Sequence, residues 1–147
     1  SFTEALDVAL CYGWIDGQRR SFDEESFFQR FTPRRKKSIW SKINRAKAAD
    51  LIKCGRMRPA GLAAIEAAKA DGRWDAAYDS GRTAEVPEDL QAELDANPDA
   101  KAFFATVSSQ NRYAILFRVQ TAKKPETRAK RIKQFVGMLA RKETLHP

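Results

Sequence analysis

The sequence predicts an α+β protein, mainly helical, with a β-hairpin in a small antiparallel sheet near the N-terminus and a helical C-terminal lobe. Three observations predict it. Apolar residues recur at helical spacing over most of the chain, as in Ile132, Phe135, Val136 and Leu139. Between Trp14 and Thr32 the period falls to two, with Phe27, Gln29 and Phe31 alternating with Phe28, Arg30 and Thr32. Proline and glycine then cut the remainder into short helical pieces, at Gly55, Pro59, Gly72, Pro87, Pro98 and Pro125.

Each element has its own signals. Residues 3–12 read as a helix capped by Thr3 and stopped by Gly13. Trp14 to Phe22 and Ser26 to Thr32 read as two strands around the polar tip Asp23-Glu24-Glu25, with Asp16-Gly17 a candidate bulge or turn. A lone hairpin is marginal in water, so a third strand from upstream or a covering helix is expected. Pro33 ends the second strand, and Ser38 is the expected cap of a helix over Ile39 to Lys53. Pro59 opens an alanine-rich helix that ends before Gly72, and Trp74 and Tyr78 read as anchors for the turn after it.

Residues 79–86, DSGRTAEV, are the linker candidate, small and polar. They divide an N-terminal lobe, residues 1–80, from a helical lobe, residues 81–147. The second lobe reads as four helices: Pro87 to Asp95, Pro98 to Thr106, Gln110 to Ala122 behind a Ser108-Ser109 cap, and Pro125 to about Arg141. The third of these carries apolar residues on two sides and is expected at the centre of its lobe. Arg128 falls inside the apolar stripe of the last helix, so a carboxylate or helix-end carbonyls should meet it there.

Charge and composition bound the function. The chain of 147 residues carries a formal charge of +8. By segment the balance is +4 for residues 1–80, −4 for 81–107 and +8 for 108–147, so the last quarter equals the whole net charge. Such a block attracts nucleic acid, an anionic surface or an acidic protein. No apolar run approaches the roughly 20 residues of a membrane-spanning helix. The first ten residues lack a basic, signal-like start, which suggests a cytoplasmic protein. The chain opens at Ser1 rather than Met, so a further segment upstream is expected. Two cysteines, Cys11 and Cys54, are expected as reduced, buried thiols, and the lone His146 sits where chains fray. No metal or cofactor is implied.

The segments WIDGQ, QRFTPRRKKSIWSKIN, GRMRPAGLAAIEAAKADGRWDAAY and NRYAILFRVQTAKKPETRAKRIKQFVGMLA, in that order, resemble the bacterial YdeI/OmpD-associated family, also called bacteriocin-protection proteins. The resemblance runs over essentially the whole chain. It implies a link to antimicrobial-peptide stress and about 40–50 further residues upstream that include strand-like sequence, in keeping with the lone hairpin. It brings no catalytic residue with it.

Three groups of residues are candidates for function. Asp16, Gln18, Arg30, Arg34, Arg35, Trp40 and Asn44 gather where the hairpin meets the next helix, an arrangement suited to a phosphate or carboxylate beside an aromatic wall. The alternative is that both tryptophans are core and the cations only face water. Lys123, Lys124, Arg128, Lys130, Arg131 and Lys133 form a basic surface able to neutralise phosphates, although no aromatics are interleaved with them. Asp16, Asp71, Asp75 and Asp79 are the carboxylates nearest to aromatic or apolar residues, yet no phosphate loop, nucleophile elbow or metal spacing accompanies them. A small non-enzymatic binding protein is the leading expectation, with an anionic ligand or acidic protein as partner. Nucleic-acid or anionic-surface association through the basic C-terminal region is the alternative, and a carboxylate-based enzyme comes after it.

Overall fold

The structure is a computed structural model that describes residues 1–147. Its order is α1 (Phe2–Cys11), β1 (Trp14–Ser21), β2 (Phe27–Pro33), α2 (Lys42–Lys53), α3 (Pro59–Ala70), α4 (Glu88–Asp95), α5 (Pro98–Phe104), α6 (Ser109–Gln120) and α7 (Pro125–Ala140). The α+β class is thus the observed one. The chain divides into two compact units, Ser1–Ala77 and Tyr78–Pro147.

In the first unit the cap of α1 is Ser1, two residues before the expected Thr3. The Ser1 hydroxyl accepts from the Glu4 N–H, and Glu4 reaches back to the chain's amino group, a reciprocal cap that Thr3 cannot match. β1 and β2 pair antiparallel as the whole sheet. Of the two covers expected for the hairpin, the helix is the one present. Phe2 of α1 packs against Phe27 and Phe31, with ring centroids 6.3 Å apart in both pairs. The bulge expected near Gly17 is there: Asp16 faces Phe31 and Arg19 faces Gln29, so Gly17 and Gln18 together oppose Arg30. The Gln29 side-chain amide donates to the Gly17 and Gln18 carbonyls at 3.1 and 3.4 Å, which holds the bulge in place.

The next helix corrects the sequence reading. α2 begins at Lys42 with Ser41, not Ser38, as its cap. The reason lies in the carbonyls that a Ser38-capped helix would need. Arg73 Nη1 donates to the Ser38 carbonyl at 2.7 Å, and Arg34 Nη1 donates to the Ile39 carbonyl at 3.2 Å. With those acceptors engaged by guanidinium groups, residues 38–40 stay outside the helix, and the Ser38 hydroxyl instead accepts from the Arg35 N–H. The core of this unit joins Leu6, Leu10, Cys11, Trp40, Leu51 and Ile65, with Trp74 edge-on to Trp40 at 5.0 Å. Cys11 is buried as expected, but Cys54, the C-cap of α2, is exposed.

The second unit packs α4–α7 around Leu90, Leu94, Ile115, Leu116, Val119, Phe135 and Leu139. α6 is central, with Asn111, Ala114, Ile115, Leu116 and Val119 all buried. The 79–86 stretch is no free linker. The Tyr113 hydroxyl donates to the Asp79 carbonyl at 3.0 Å, Arg112 donates to the Ala84 carbonyl at 3.2 Å, and Ala84 is buried, so α6 straps this stretch down. The C-terminal residues are tied as well. Asn111 donates from Nδ2 to the His146 carbonyl and accepts the His146 N–H, at 3.2 and 2.9 Å, a pairing that imitates a backbone ladder and removes the fraying expected of His146.

Candidate functional site

Helix α1 carries two apolar faces. Leu6, Leu10 and Cys11 point into the core. Ala5, Val8, Ala9 and Tyr12, at helical spacings of three and four, form the second face and look toward the hairpin. With Trp14 and Phe31 they line an open apolar groove of about 560 Å³. Val8 and Tyr12 are each 51% exposed and Trp14 41%, a concentration of apolar surface that folding has left uncovered. Composition gives no hint of the groove. The spacing within TEALDVALCY does, once its apolar residues are split into two stripes.

The positive φ of Gly13, 75°, turns the chain from α1 into β1. The Gly13 carbonyl then accepts the Arg34 N–H at 2.9 Å, which places the Arg34–Lys37 loop beside the Tyr12–Trp14 end of the groove. Arg34 itself is a structural residue. Its guanidinium lies 3.5 Å from the Trp40 ring centroid and bonds the Ile39 carbonyl. Arg35, Lys36 and Lys37 are exposed and form no ion pair within the chain.

The other predicted residues disperse. Trp40 is 2% exposed and belongs to the core rather than to a ligand wall. Asn44 is 8% exposed inside α2. Asp16 is half-buried at the bulge facing Phe31, and Gln18 is exposed in the bulge. Arg30 stands exposed on the face of the hairpin away from α1.

The C-terminal cations divide in two. Arg128 donates to both Asp89 carboxylate oxygens, at 2.6 and 2.8 Å, and to the Val119 carbonyl at 3.2 Å. Both acceptors expected for it are present. The bidentate hydrogen bond from Arg128 holds the Asp89 carboxyl below its ordinary pKa. Arg131 donates to the Arg118 carbonyl at 2.6 Å, so it and Arg128 together finish the C-terminal end of α6. Lys123, Lys124, Lys130 and Lys133 are exposed. No helix of the protein is long and apolar enough to cross a membrane.

Comparison with known families agrees with this two-part layout. Residues 83–142 match the family described as Bacteriocin-protection, YdeI or OmpD-Associated. That match spans 60 of the 147 residues. Residues 1–64, which include the groove and the hairpin, match a separate domain of unknown function (DUF8412). No curated protein and no solved structure matches the chain. The segment similar to the YdeI/OmpD-associated family spans α4–α7, and the groove lies outside it.

Proposed function

We propose that this is a small, non-enzymatic binding protein of the YdeI/OmpD-associated type that takes an amphipathic anion on its N-terminal unit. The link to bacteriocin protection comes from the family description alone. The observation that carries the reading is the apolar groove of about 560 Å³ with the Arg35–Lys37 cations at one end. Its volume falls within the roughly 300–1,000 Å³ of ligand clefts. An alkyl or aromatic body fits the Val8–Trp14–Phe31 lining, and a carboxylate or phosphate head fits the cations. The overall charge of +8 draws such anions toward the surface.

Decanoate is the simplest probe, with decanol as its uncharged counterpart. Decanoate is expected to raise the thermal midpoint and to change the tryptophan emission, because Trp14 lines the groove. Val8→Asp should abolish both effects while the core stays intact, since Val8 is exposed. Joint replacement of Arg35, Lys36 and Lys37 by Ala should lower the affinity for decanoate to that for decanol. Equal responses from wild type and Val8→Asp would reject the groove as the site.

A further inference from the structure

The bulge at Gly17–Gln18 has an effect on the far side of the hairpin. Strand side chains alternate between faces, so one extra residue inverts the alternation beyond it. Before the bulge Asp16 shares the α1-facing side with its partner Phe31. After it, Arg19 takes that side, 3.5 Å over the Phe27 ring, and Arg20 moves to the open face opposite Phe28. The open face therefore gathers Arg20, Phe22, Phe28 and Arg30. Phe22 is 67% and Phe28 53% exposed, with their rings edge-to-face at 5.1 Å, and the Arg20 guanidinium lies 5.5 Å from the Phe28 centroid. Arg20 and Arg30 are exposed and form no ion pair within the chain. β2 then leads into the exposed cations of the Arg35–Lys37 loop.

From this face we infer a binding platform for single-stranded nucleic acid. Two solvent-facing rings offer π-faces to bases, and cations beside and beyond them suit the phosphates, which is the interleaving that the C-terminal basic surface lacks. From Phe28 to Pro33 the strand runs about 17 Å, or about five nucleotides at the ~3.4 Å stacking rise. The acids at the tip argue for this partner over an anionic bilayer. Asp23 accepts the Glu25 and Ser26 N–H groups, and hydrogen bonds from Ser26 and then Glu25 hold its pKa below the ordinary value, so Asp23 with exposed Glu24 and Glu25 keeps negative charge where the rings would have to insert. The platform lies on the face opposite the groove and does not depend on it.

The test is fluorescence anisotropy with a labelled oligothymidylate of about 12 nucleotides, the matching duplex as competitor, and phosphatidylglycerol vesicles as a second competitor. Binding at about 50 mM salt is expected to weaken about 50-fold by about 200 mM, the slope for roughly four neutralised phosphates on a single strand. Phe22→Ala with Phe28→Ala should cost at least about tenfold, as expected for lost base stacking, and leave the salt slope unchanged. Arg20→Ala with Arg30→Ala should lower the slope by about 1.4. Val8→Asp should bind like wild type, which separates this site from the groove. The inference is overturned if the strand does not bind at about 50 mM salt, if the duplex or the vesicles compete better than single strand, or if the Phe pair binds as wild type while loss of Lys123, Lys124, Lys130 and Lys133 abolishes binding.

Discussion

Gly61→Ala is the substitution for which the structure makes the sharpest demand. Gly61 sits buried in the first turns of α3, where that helix crosses the end of α1. A Cβ built there would fall on the Cys11 peptide, 2.8 Å from its carbonyl carbon and closer still to its oxygen, and 2.6 Å from Met57 Cε. Met57 can swing aside, because thioether side chains repack readily. The Cys11 carbonyl cannot, since it accepts the Arg58 N–H at 3.0 Å and so fastens the two helices together. Alanine favours a helix interior over glycine by about 1 kcal/mol. Against this stand about 1–3 kcal/mol of overpacking and about 1 kcal/mol for the stretched Arg58–Cys11 hydrogen bond. The net expectation is a loss of about 1–3 kcal/mol. Urea unfolding followed by tryptophan emission reads this cleanly, because Trp14, Trp40 and Trp74 all belong to the first unit. The midpoint should fall by roughly 0.5–3 M at an m-value near 1–2 kcal/mol/M. Gly13→Ala, with its φ of 75° and the Ala60 carbonyl oxygen 2.9 Å from the new Cβ, should destabilise as well and combine non-additively with Gly61→Ala. A midpoint equal to or above wild type for Gly61→Ala would refute the close α1–α3 approach.

Other outcomes follow from the remaining anchors. Arg34→Ala should cost about 1–2 kcal/mol in the same urea assay through the lost Trp40 stack and Ile39 hydrogen bond, whereas Arg35→Ala should be nearly neutral. Asn111→Ala should cost about 1–3 kcal/mol and speed hydrogen exchange at the His146 amide, whose N–H would lose its acceptor. Asp89 has a lowered pKa in the folded state, so its pairing stabilises the protein above the ordinary carboxylate pKa, and that contribution disappears as the pH falls through the lowered value. Asp89→Asn should therefore be less stable than wild type near neutral pH, with the gap closing on acidification below pH 3.8, as thermal melts across that range would record.

How far the sequence could be read depends on the range of the interaction involved. The hairpin, its bulge, the four C-terminal helices and the pairing of Arg128 were legible because each follows from local spacing or from the cost of one misplaced charge. The start of α2 was not. Ser38 and Ser41 are equally good caps by type, and the choice rests on Arg73, a residue 35 positions away, engaging the Ser38 carbonyl. The same long reach misleads at residues 79–86, polar enough for a linker yet fastened by Arg112 and Tyr113. At the candidate site, the Arg34 guanidinium lies 3.5 Å from the Trp40 ring centroid. Pattern alone gives no measure of burial, and burial makes the pair structural while leaving Arg35 to Lys37 outside. The groove beside them is half legible: the spacing in α1 splits its apolar residues into two stripes, but a sequence does not reveal which of them finds a partner.

The proposed binding role is tested most directly by amide and indole chemical-shift mapping of the whole protein during a decanoate titration. Saturable shifts are predicted at Ala5, Val8, Ala9, Tyr12 and Phe31, at the Trp14 indole N–H, and at Arg35 to Lys37. Shifts confined to residues 123–133, or none that saturate, would contradict it.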